Sequence, residues 1–346
     1  MPLPLSVLDL SPVGSGSTGA QALHHTLDLA RAADRLGYTR YWMAEHHNTA
    51  TFVSASPEIM IAMIARETKR IRVGSGGIML PNHAPLKVAE NFKTLEALFP
   101  GRIDLALGRA PGTDQVTALA LRRSAQAFGD DFPEQIQELQ AFAGEGVFPA
   151  GHPFGRVRAT PEGVPLPPIW LLGSSTYGAQ LAARLGRGYA FAYHFSPDAA
   201  GAAMRIYREQ FVPSKYMARP HAILAVSVMV AETRERAEEL ALTQERLFVN
   251  IRTGRSGPLV SPEEALNLAL TPQEQQIAEY GRKLLVYGTP QEVRAQLEDL
   301  ARQLGADELM VTSNIHDHAE RVRSYELLAD AFELGKRQGK AEVASG

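Results

Sequence analysis

Hydrophobic positions along the chain follow two patterns. In short runs, Val, Ile, Leu and aromatic residues stand side by side, as in strands buried on both faces of a parallel sheet. In the longer segments between these runs, apolar residues recur every three or four positions, which is typical of amphipathic helices. The short runs predict eight strands, at residues 5–10, 38–44, 71–80, 103–107, 169–172, 189–195, 223–230 and 308–313.

The helical segments carry start and stop residues. The first one ends at Gly37, and the next begins with Ser56 as its N-cap and Pro57 at the first helical position. Because a helix follows each predicted strand, the strands should be parallel and joined by crossover helices. Eight such units predict an α/β fold, a (β/α)8 TIM barrel that forms a single domain over residues 1–346. An open doubly wound sheet is the alternative, although it normally uses fewer strands in one domain.

The chain has 346 residues, whereas a barrel of this kind typically needs about 250. The surplus lies in three long connections rich in Gly, Pro and Ser, at residues 110–133, 144–168 and 252–271. Connections of this length usually form lids or binding loops. We therefore predict long insertions at the C-terminal ends of the strands, and a mobile loop at residues 252–271 that covers the active site.

Composition narrows the class of protein. Hydrophobic residues make up 45% of the chain and charged residues 21%, and the net charge is −3, which gives no reason to expect binding to nucleic acid or to a membrane surface. No apolar run approaches the roughly 20 residues that span a bilayer. The first residues lack the pattern of a signal peptide, and there is no cysteine. We therefore expect a cytoplasmic protein without disulfides or cysteine-ligated metal.

Two segments predict a site for a phosphorylated ligand. Ser174, Ser175, Tyr177 and Gly178 follow a predicted strand and open a helix, so hydroxyls and free backbone N–H groups meet at a helix N-terminus. An ordinary serine cap is the alternative for this segment alone. Arg109 follows the neighbouring predicted strand, and its guanidinium could bind the same phosphate through two hydrogen bonds. Together the two segments favour a phosphate.

The pair Gly76 and Gly77 interrupts an otherwise apolar strand. Glycine weakens a strand and contributes no side chain to packing. A bulge or close packing against a helix would explain the pair. The functional alternative is that a flat ligand or an unusual peptide geometry requires a bare backbone at this point.

Polar residues also end the second predicted strand, where Glu45, His46 and His47 are consecutive. A metal site is a weak interpretation, because adjacent strand residues point to opposite faces, and no second cluster shows ligand spacing. A single histidine, His46, that donates a hydrogen bond or exchanges a proton with a ligand suits a strand end better. Asp9, in the apolar first strand, is either a buried polar anchor or a ligand contact.

Four segments resemble the bacterial luciferase-like monooxygenases, which are flavin-dependent enzymes on a (β/α)8 barrel. These segments are "AEHH" at residues 44–47, "VGSGGIMLPNHAPLKVAE" at 73–90, "GRIDLALGR" at 101–109 and "SSTYGAQLAARLG" at 174–186. The resemblance covers nearly the whole chain. It implies FMN, used as FMNH2, with the phosphate held by Arg109 and by the turn of residues 174–178.

The resemblance also assigns roles to other residues. His46 matches the active-site histidine, Glu45 anchors the strand end beside the cofactor, and Asp114 lies near another active-site acid. Gly76 and Gly77 match a non-prolyl cis peptide under the flavin ring. At position 108, where luciferase has a reactive cysteine, this chain has glycine, which argues against light emission.

The function that we expect from the resemblance is oxidation of a small organic substrate by reduced FMN and O2. It further implies a flavin reductase that supplies FMNH2 and a homodimer. A hydride-transfer enzyme that uses the deazaflavin F420 and a non-catalytic FMN-binding protein are the alternatives, and a metal-dependent hydrolase is a more distant one. No residue pattern identifies the substrate.

Overall fold

Eight parallel strands form a closed ring at the centre of the computed structural model, which describes residues 3–122 and 131–335. The strands of these residues are β1 Leu5–Asp9, β2 Arg40–Met43, β3 Arg72–Ser75, β4 Ile78–Met79, β5 Ile103–Gly108, β6 Ile169–Gly173, β7 Gly188–Ala192, β8 Ala222–Val230, β9 Leu285–Gly288 and β10 Glu308–Thr312. The helices are α1 Gly19–Leu36, α2 Pro57–Glu67, α3 Pro85–Leu98, α4 Gln115–Arg122, α5 Phe132–Phe142, α6 Thr176–Arg184, α7 Ala200–Glu209, α8 Arg234–Thr253, α9 Pro262–Asn267, α10 Pro272–Lys283, α11 Pro290–Leu304 and α12 His318–Ala331. None of these helices combines the length and the apolar character that crossing a membrane requires.

The ring runs in the order β10, β1, β2, β3, β5, β6, β7 and β8. It closes because β8 pairs in parallel with β10, from Ile223 opposite Glu308 to Ser227 opposite Thr312. The predicted (β/α)8 barrel is therefore confirmed. Two further strands lie outside the ring: β4 pairs with the end of β5, and β9 pairs with the C-terminal half of β8.

Three strands differ from the sequence prediction. The run at residues 71–80 is divided into β3 and β4, and the run at 189–195 forms a strand only as far as Ala192. Strand β9 was not predicted. It has four residues and begins one residue after α10 ends, so its apolar residues merge with the helical pattern before it.

The three long connections do not all lie at the C-terminal ends of strands. Residues 144–168 join α5 to β6, so they lie at the opposite end of the barrel, and their predicted placement was wrong. The connection at 110–133 contains α4, and its residues 123–130 lie outside the described part of the chain.

The segment at residues 252–271 has more structure than a loop. It contains the end of α8 and the whole of α9. Leu259 is buried and exchanges backbone hydrogen bonds with the segment after β1, where its N–H donates to Val13 and its carbonyl accepts from Ser15. The mobility of this segment stays a prediction.

Alternate residues of each barrel strand face the interior and form layers, as is usual in this fold. Strand β10 shows the sequence of layers, because Glu308 lies at the amino-terminal end, Met310 in the middle and Thr312 at the carboxyl-terminal end. The middle layer is apolar and includes Leu8, Trp42, Ala106, Ala190, Ile223 and Met310. The opposite strand faces pack against the helices in a separate, larger core.

A buried ion network fills the amino-terminal layer. Arg40 donates to Asp104 at 2.9 Å and to Glu308 at 3.0 Å, and Arg72 donates to Asp104 at 2.6 Å. His221 lies 3.1 Å from Glu308. Buried charges of this kind require partners, since an uncompensated charge in the interior is costly.

Asp9 belongs to the outer face of the barrel. Its carboxylate accepts hydrogen bonds from Arg321 of α12 at 2.6 Å and from Thr26 of α1 at 2.8 Å, and Tyr41 of β2 donates to it at 2.5 Å. Burial raises the pKa of Asp9, but the charge of Arg321 and these hydrogen bonds outweigh that effect and hold it below the ordinary value. Of the two predicted roles, the structure therefore supports the buried polar anchor.

Candidate active site

A cavity of about 820 Å³ opens at the carboxyl-terminal end of the barrel. Each of the eight ring strands, or the residue directly after it, contributes to its wall. This is the end at which barrel enzymes bind their substrates, and the volume is sufficient for a cofactor-sized ligand. The predicted site residues that line the cavity are His46, Gly76, Arg109, Ser174, Ser175, Tyr177 and Gly178.

One corner of the cavity has the geometry of a phosphate site. Helix α6 begins at Thr176, and its N-cap residue Ser175 makes no side-chain cap hydrogen bond, which leaves the hydroxyl and the first N–H groups available. The guanidinium of Arg109 lies over the ring of Tyr177, 4.4 Å from its centroid. Within the described chain, Arg109 forms no ion pair with a carboxylate. The structure thus brings together the two segments that the sequence predicted as neighbours.

Hydrogen bonds hold the turn of this corner in place. The hydroxyl of Ser196 donates to the carbonyl of Ser174 at 2.9 Å, and the Tyr189 hydroxyl donates to the carbonyl of Ser175 at 3.2 Å. Both donors come from the next strand, β7, or from the residues after it. The corner is therefore fixed before any ligand arrives, which reduces the entropy that binding would cost.

The peptide between Gly76 and Gly77 is cis, as the resemblance implied. Gly76 lies at the cavity wall, where a Cβ would come within 2.7 Å of the Leu8 side chain. Gly77 does not line the cavity; it packs on β5, where a Cβ would lie 2.7 Å from the carbonyl oxygen of Ala106. Ser75 bridges the interruption of the strand, because its hydroxyl donates to the Ala106 carbonyl at 2.8 Å and accepts from the Ala106 N–H at 3.0 Å.

His46 lines the cavity three residues after β2 ends. Its Nδ1 lies 3.5 Å from the hydroxyl of the buried Ser54, and its ring contacts Phe52. Burial lowers the pKa of His46 to about 4, against the opposing effect of Glu45. At neutral pH the imidazole is therefore uncharged and can accept a hydrogen bond or a proton.

Glu45 lies outside the cavity wall, and its contact with a cofactor stays a prediction. Its buried carboxylate instead accepts hydrogen bonds from His47 at 2.8 Å, His83 at 3.0 Å and the Met79 N–H at 2.8 Å. Burial raises the pKa of Glu45, but these hydrogen bonds outweigh it and lower the value to about 2. Glu45 anchors the end of β2 to the segment after β4, and His47 has a structural role in that anchor.

Asp114 also lies outside the cavity wall. Its carboxylate accepts from the N–H of Thr117 at 3.0 Å and from the Thr117 hydroxyl at 2.6 Å, so it caps the first turn of α4. It also accepts from Asn48 at 3.2 Å. The catalytic role that the resemblance implied for Asp114 stays a prediction.

His194 lines the cavity, although no role was predicted for it from the sequence patterns. It lies two residues after β7, and its Nδ1 is 3.2 Å from the carbonyl of Ala225, which places the proton on Nδ1 and leaves Nε2 as the acceptor. Burial lowers the pKa of His194 to about 4. Its position after a barrel strand was the signal that could have identified it, as it did for His46.

No group of three or more His, Cys, Asp or Glu side chains in residues 3–122 and 131–335 is arranged to hold a metal ion. Arg109 and the turn before α6 are among the polar groups that line the cavity, and the others include His46, His194, Asp198, Ser227, Gln244, Thr312 and Asn314. Arg109 and the turn suit the anionic part of an organic ligand, and the hydrophobic parts of the wall suit an apolar body.

A closed (β/α)8 barrel with such a cavity at its carboxyl-terminal end defines an enzyme scaffold. The family model for luciferase-like monooxygenases matches residues 3–308, and the chain belongs to that family of oxidoreductases. YvbT of Bacillus subtilis (strain 168) is 47% identical over 329 residues, which cover 95% of this chain and 96% of that protein. A luciferase-like monooxygenase of Escherichia coli (strain K12) is 43% identical over 328 residues, with 95% and 96% covered.

A third relative, N-acetyl-S-alkylcysteine monooxygenase of Bacillus subtilis (strain 168), is 36% identical over 338 residues, which cover 96% of this chain and 99% of that protein. Among solved structures, apo-MsnO8 has a TM-score of 0.86 and 42% identity, with 96% of this chain and 98% of that chain covered.

Two more distant structures share the fold alone. The oxygenating constituent of 3,6-diketocamphane monooxygenase from Pseudomonas putida, in complex with FMN, has a TM-score of 0.69 and 16% identity, and it covers 95% and 97% of the two chains. An F420-dependent secondary alcohol dehydrogenase has a TM-score of 0.67 and 15% identity, with 96% and 99% covered. Structural neighbours of this chain therefore include both FMN and F420 enzymes.

Proposed function

We propose that this protein is a monooxygenase that uses reduced FMN and O2 to oxidise a small organic substrate. The observation that carries the proposal is that the phosphate corner, the bare backbone at Gly76 and the uncharged His46 all line one cavity. A flavin mononucleotide fits these groups, because it joins a phosphate dianion to a flat, largely apolar ring system. Reduced FMN, when bound, supplies the two electrons with which one oxygen atom of O2 becomes water while the other is transferred to the substrate.

In this proposal Arg109, Ser174, Ser175, Tyr177 and Gly178 hold the phosphate. Arg109 provides charge and paired donors, and the turn provides hydroxyls and the N-terminus of α6. The guanidinium of Arg109 packs against the ring of Tyr177. Because these groups are fixed by the protein, they bind and orient the cofactor without taking part in the oxygen chemistry.

His46 is the proposed proton-handling residue. Since its Nδ1 faces Ser54, Nε2 is the nitrogen left for the cavity. The depressed pKa keeps this nitrogen unprotonated at neutral pH, so it accepts a hydrogen bond or a proton from a reacting group. The apolar residues around it, such as Leu8, Leu10 and Trp42, keep water away from the reacting atoms.

A titration tests the cofactor. Under anaerobic conditions the protein is titrated with photoreduced FMN and, separately, with reduced F420, and binding is followed by fluorescence. We expect FMN to bind the wild type, and Arg109→Ala to weaken FMN binding by roughly tenfold to a hundredfold, the effect of a charge-assisted hydrogen bond. The matched control is Arg252→Ala, a second exposed arginine at the cavity mouth, which lies over Phe248.

Each result has a clear meaning. Binding of F420 with no response to FMN would replace the monooxygenase proposal with hydride transfer. Equal loss of FMN affinity in both arginine variants would contradict the specific phosphate role of Arg109. Binding of FMN without any oxidation of a substrate panel would favour a non-catalytic flavoprotein.

The first substrate panel should contain thioethers. The N-acetyl-S-alkylcysteine monooxygenase resembles this chain over almost its whole length, so we propose oxidation at a soft atom such as sulfur. The readout is the sulfoxide formed for each FMNH2 consumed. Addition of a separate flavin reductase with NADH should sustain turnover, whereas NADH alone should not.

We also propose that the protein forms a homodimer through α2 and α3. Ile59 and Met63 of α2 and Leu98 of α3 are large hydrophobic side chains that are 66%, 45% and 65% exposed. Exposed apolar groups on adjacent helices are typical of association surfaces. Light scattering should give twice the chain mass for the wild type and a monomer for Ile59→Glu, and a monomeric wild type would refute the dimer.

A further inference from the structure

The wall of the cavity contains polar atoms that the cofactor proposal does not use. Thr312, the last residue of β10, is 2% exposed, and Asn314 is 5% exposed. Both side chains line the cavity, and in the described chain Thr312 Oγ1 and Asn314 Oδ1 have no hydrogen-bond partner. A buried polar atom without a partner costs free energy, and in native proteins it commonly marks a ligand site.

The backbone fixes both side chains on the inner face. Ser313, between them, points away from the cavity, since its hydroxyl donates to the carbonyl of Val228 at 2.5 Å and its own carbonyl accepts from Arg321 at 2.8 Å. Alternation along the chain then turns Thr312 and Asn314 inward. The Asn314 amide is oriented by its Nδ2, which donates to Gln244 of α8 at 3.3 Å.

This polar corner, formed by Ser227, Gln244, Thr312 and Asn314, lies on a different part of the ring from the phosphate corner. Thr312 is on β10, which is four steps around the ring from β5, the strand that leads to Arg109, and three steps from β6, the strand before the turn. A ligand that extends from the phosphate corner to Gly76 after β3 therefore occupies the other side of the mouth. The polar corner remains on the side left for the organic substrate.

The chemistry of the corner defines what it can bind. The Thr312 hydroxyl donates and accepts, and the Asn314 amide oxygen accepts. A secondary amide matches this pair, because it supplies one N–H donor and one carbonyl acceptor on a rigid plane. The surrounding side chains are apolar, with Leu10, Leu247 and Met310 in the same cluster, so the matching group is uncharged and carries an apolar substituent.

We propose that Thr312 and Asn314 form a specificity site for the substrate, which binds a secondary amide on the oxidisable molecule. The proposal rests on the monooxygenase function for its biological meaning. The binding event itself needs no flavin. The amide would direct the apolar end of the substrate towards His46 and the cofactor.

A matched pair of probes tests the proposal. N-acetyl-S-ethylcysteamine carries a secondary amide and a thioether, and its N-methyl analogue lacks only the N–H. Binding of each probe is measured by calorimetry on the protein without flavin and on the protein with oxidised FMN, so no turnover is required. We expect the wild type to prefer the secondary amide by roughly tenfold, the effect of one buried hydrogen bond.

The two variants should have different effects. Asn314→Leu removes the oxygen that accepts from the N–H, so it should abolish the preference. Thr312→Val keeps the shape of the side chain and removes a hydroxyl that has no partner and would donate to the amide carbonyl, so it should weaken the binding of both probes. Thr312→Ser should retain the affinity of the wild type. The control is Thr243→Val, a buried threonine of α8 whose hydroxyl donates to the carbonyl of Val260 and which does not line the cavity.

The outcomes separate this proposal from the proposed function. No preference in the wild type, an unchanged preference in Asn314→Leu, or unchanged affinity for both probes in Thr312→Val overturns the specificity site. A loss of FMN affinity in these two variants, with probe binding unchanged, also overturns it, since the corner would then hold the cofactor. An intact preference in a protein that does not bind FMN supports the site and refutes only the monooxygenase.

Discussion

The two ends of the barrel interior treat polar groups in opposite ways. At the amino-terminal end, Arg40, Asp104 and Glu308 are buried, and hydrogen bonds between 2.6 and 3.0 Å join them to one another and to the half-buried Arg72. At the carboxyl-terminal end, the cavity wall carries the unpaired oxygen of Thr312 and two imidazoles that burial keeps uncharged. One end uses its polar groups to satisfy one another, and the other leaves them for a ligand. The amino-terminal layer of the strands therefore stabilises the fold, and the carboxyl-terminal layer provides polar groups that can bind a ligand.

The largest expected effect on stability comes from disrupting the ion network at the amino-terminal end of the barrel. Asp104→Ala leaves Arg40 and Arg72 without their shared carboxylate, and we expect a loss of about 3–5 kcal/mol in the free energy of unfolding. Chemical denaturation measures this loss. The control is Glu298→Ala, which removes an exposed i,i+4 partner of Arg294 and should cost no more than about 0.5 kcal/mol. Similar losses in the two variants would show that the buried network is not a stabilising unit.

The next effect concerns the cavity at the carboxyl-terminal end of the barrel, where a substitution should change catalysis and not stability. His46→Ala should lower the turnover number by about a hundredfold to ten-thousandfold, the usual contribution of acid–base catalysis. The affinity for FMN should stay nearly unchanged, because the phosphate corner lies after other strands. Steady-state kinetics and FMN titration on the same preparation separate the two quantities. An equal loss of both would contradict the role of His46 in proton handling.

The free energy of unfolding should depend on pH, because the imidazoles of His46 and His194 are uncharged in the folded protein. The pKa values of His46 and His194 are about 4 in the folded protein and near 6.5 in the unfolded chain. Between about pH 4 and pH 6.5 the unfolded chain binds more protons than the folded protein, so protonation of the two histidines favours unfolding. The folded protein therefore has its full stability above about pH 6.5 and loses stability as the pH falls towards 4. From about pH 7 to pH 5 we expect a loss of roughly 1–2 kcal/mol per histidine.

The double variant His46→Gln/His194→Gln should show a flatter profile in urea denaturation at the two pH values. Burial lowers the pKa of His83, but its hydrogen bond to Glu45 outweighs this and raises it, which gives the opposite slope. Because His83 is present in both proteins, its contribution cancels in the comparison. Parallel profiles for the wild type and the double variant would exclude the imidazoles as the cause.

The smallest expected effect is seen when one hydroxyl from each end of the barrel is removed. Ser6 donates to Glu308 at 2.5 Å in the amino-terminal layer, whereas Thr312 Oγ1 has no partner in the described chain. Ser6→Ala should therefore cost about 1–3 kcal/mol, and Thr312→Val should be neutral or slightly stabilising. Thermal unfolding of both variants measures the difference. A cost for Thr312→Val equal to that of Ser6→Ala would mean that the Thr312 hydroxyl is satisfied in solution.

Sequence patterns predicted the barrel because its ring strands overlap eight short apolar runs and segments with helical spacing follow these runs. They predicted the phosphate corner because its residues are adjacent in the chain, from Ser174 to Gly178, and Arg109 follows the neighbouring strand. Strand β9 and the placement of residues 144–168 were missed, since a four-residue strand and an irregular connection carry little periodic signal.

The polar layers could not be predicted for a different reason. Arg40, Asp104 and Glu308 are single charged residues in three separate strands, and only closure of the barrel brings them together. Closure of the barrel likewise brings His194 into the same cavity as His46, which the sequence did predict. The contacts of Glu45 and Asp114 could not be predicted either, because proximity in the chain does not show that these carboxylates anchor a strand end and cap a helix.

Strand β8 has a consequence for how this enzyme can change over evolutionary time. Its residues Ile223–Ser227 close the ring with β10, while Ser227–Val230 pair with β9, which returns from the α8–α10 segment. That segment supplies Gln244, Leu247, Phe248, Ile251, Arg252 and Tyr280 to the cavity wall. One half of β8 therefore closes the ring, and the other half holds β9, the strand that follows the segment covering the cavity. Residues 234–284 can diverge, or be exchanged between relatives, to accept new substrates while the scaffold beneath them stays closed.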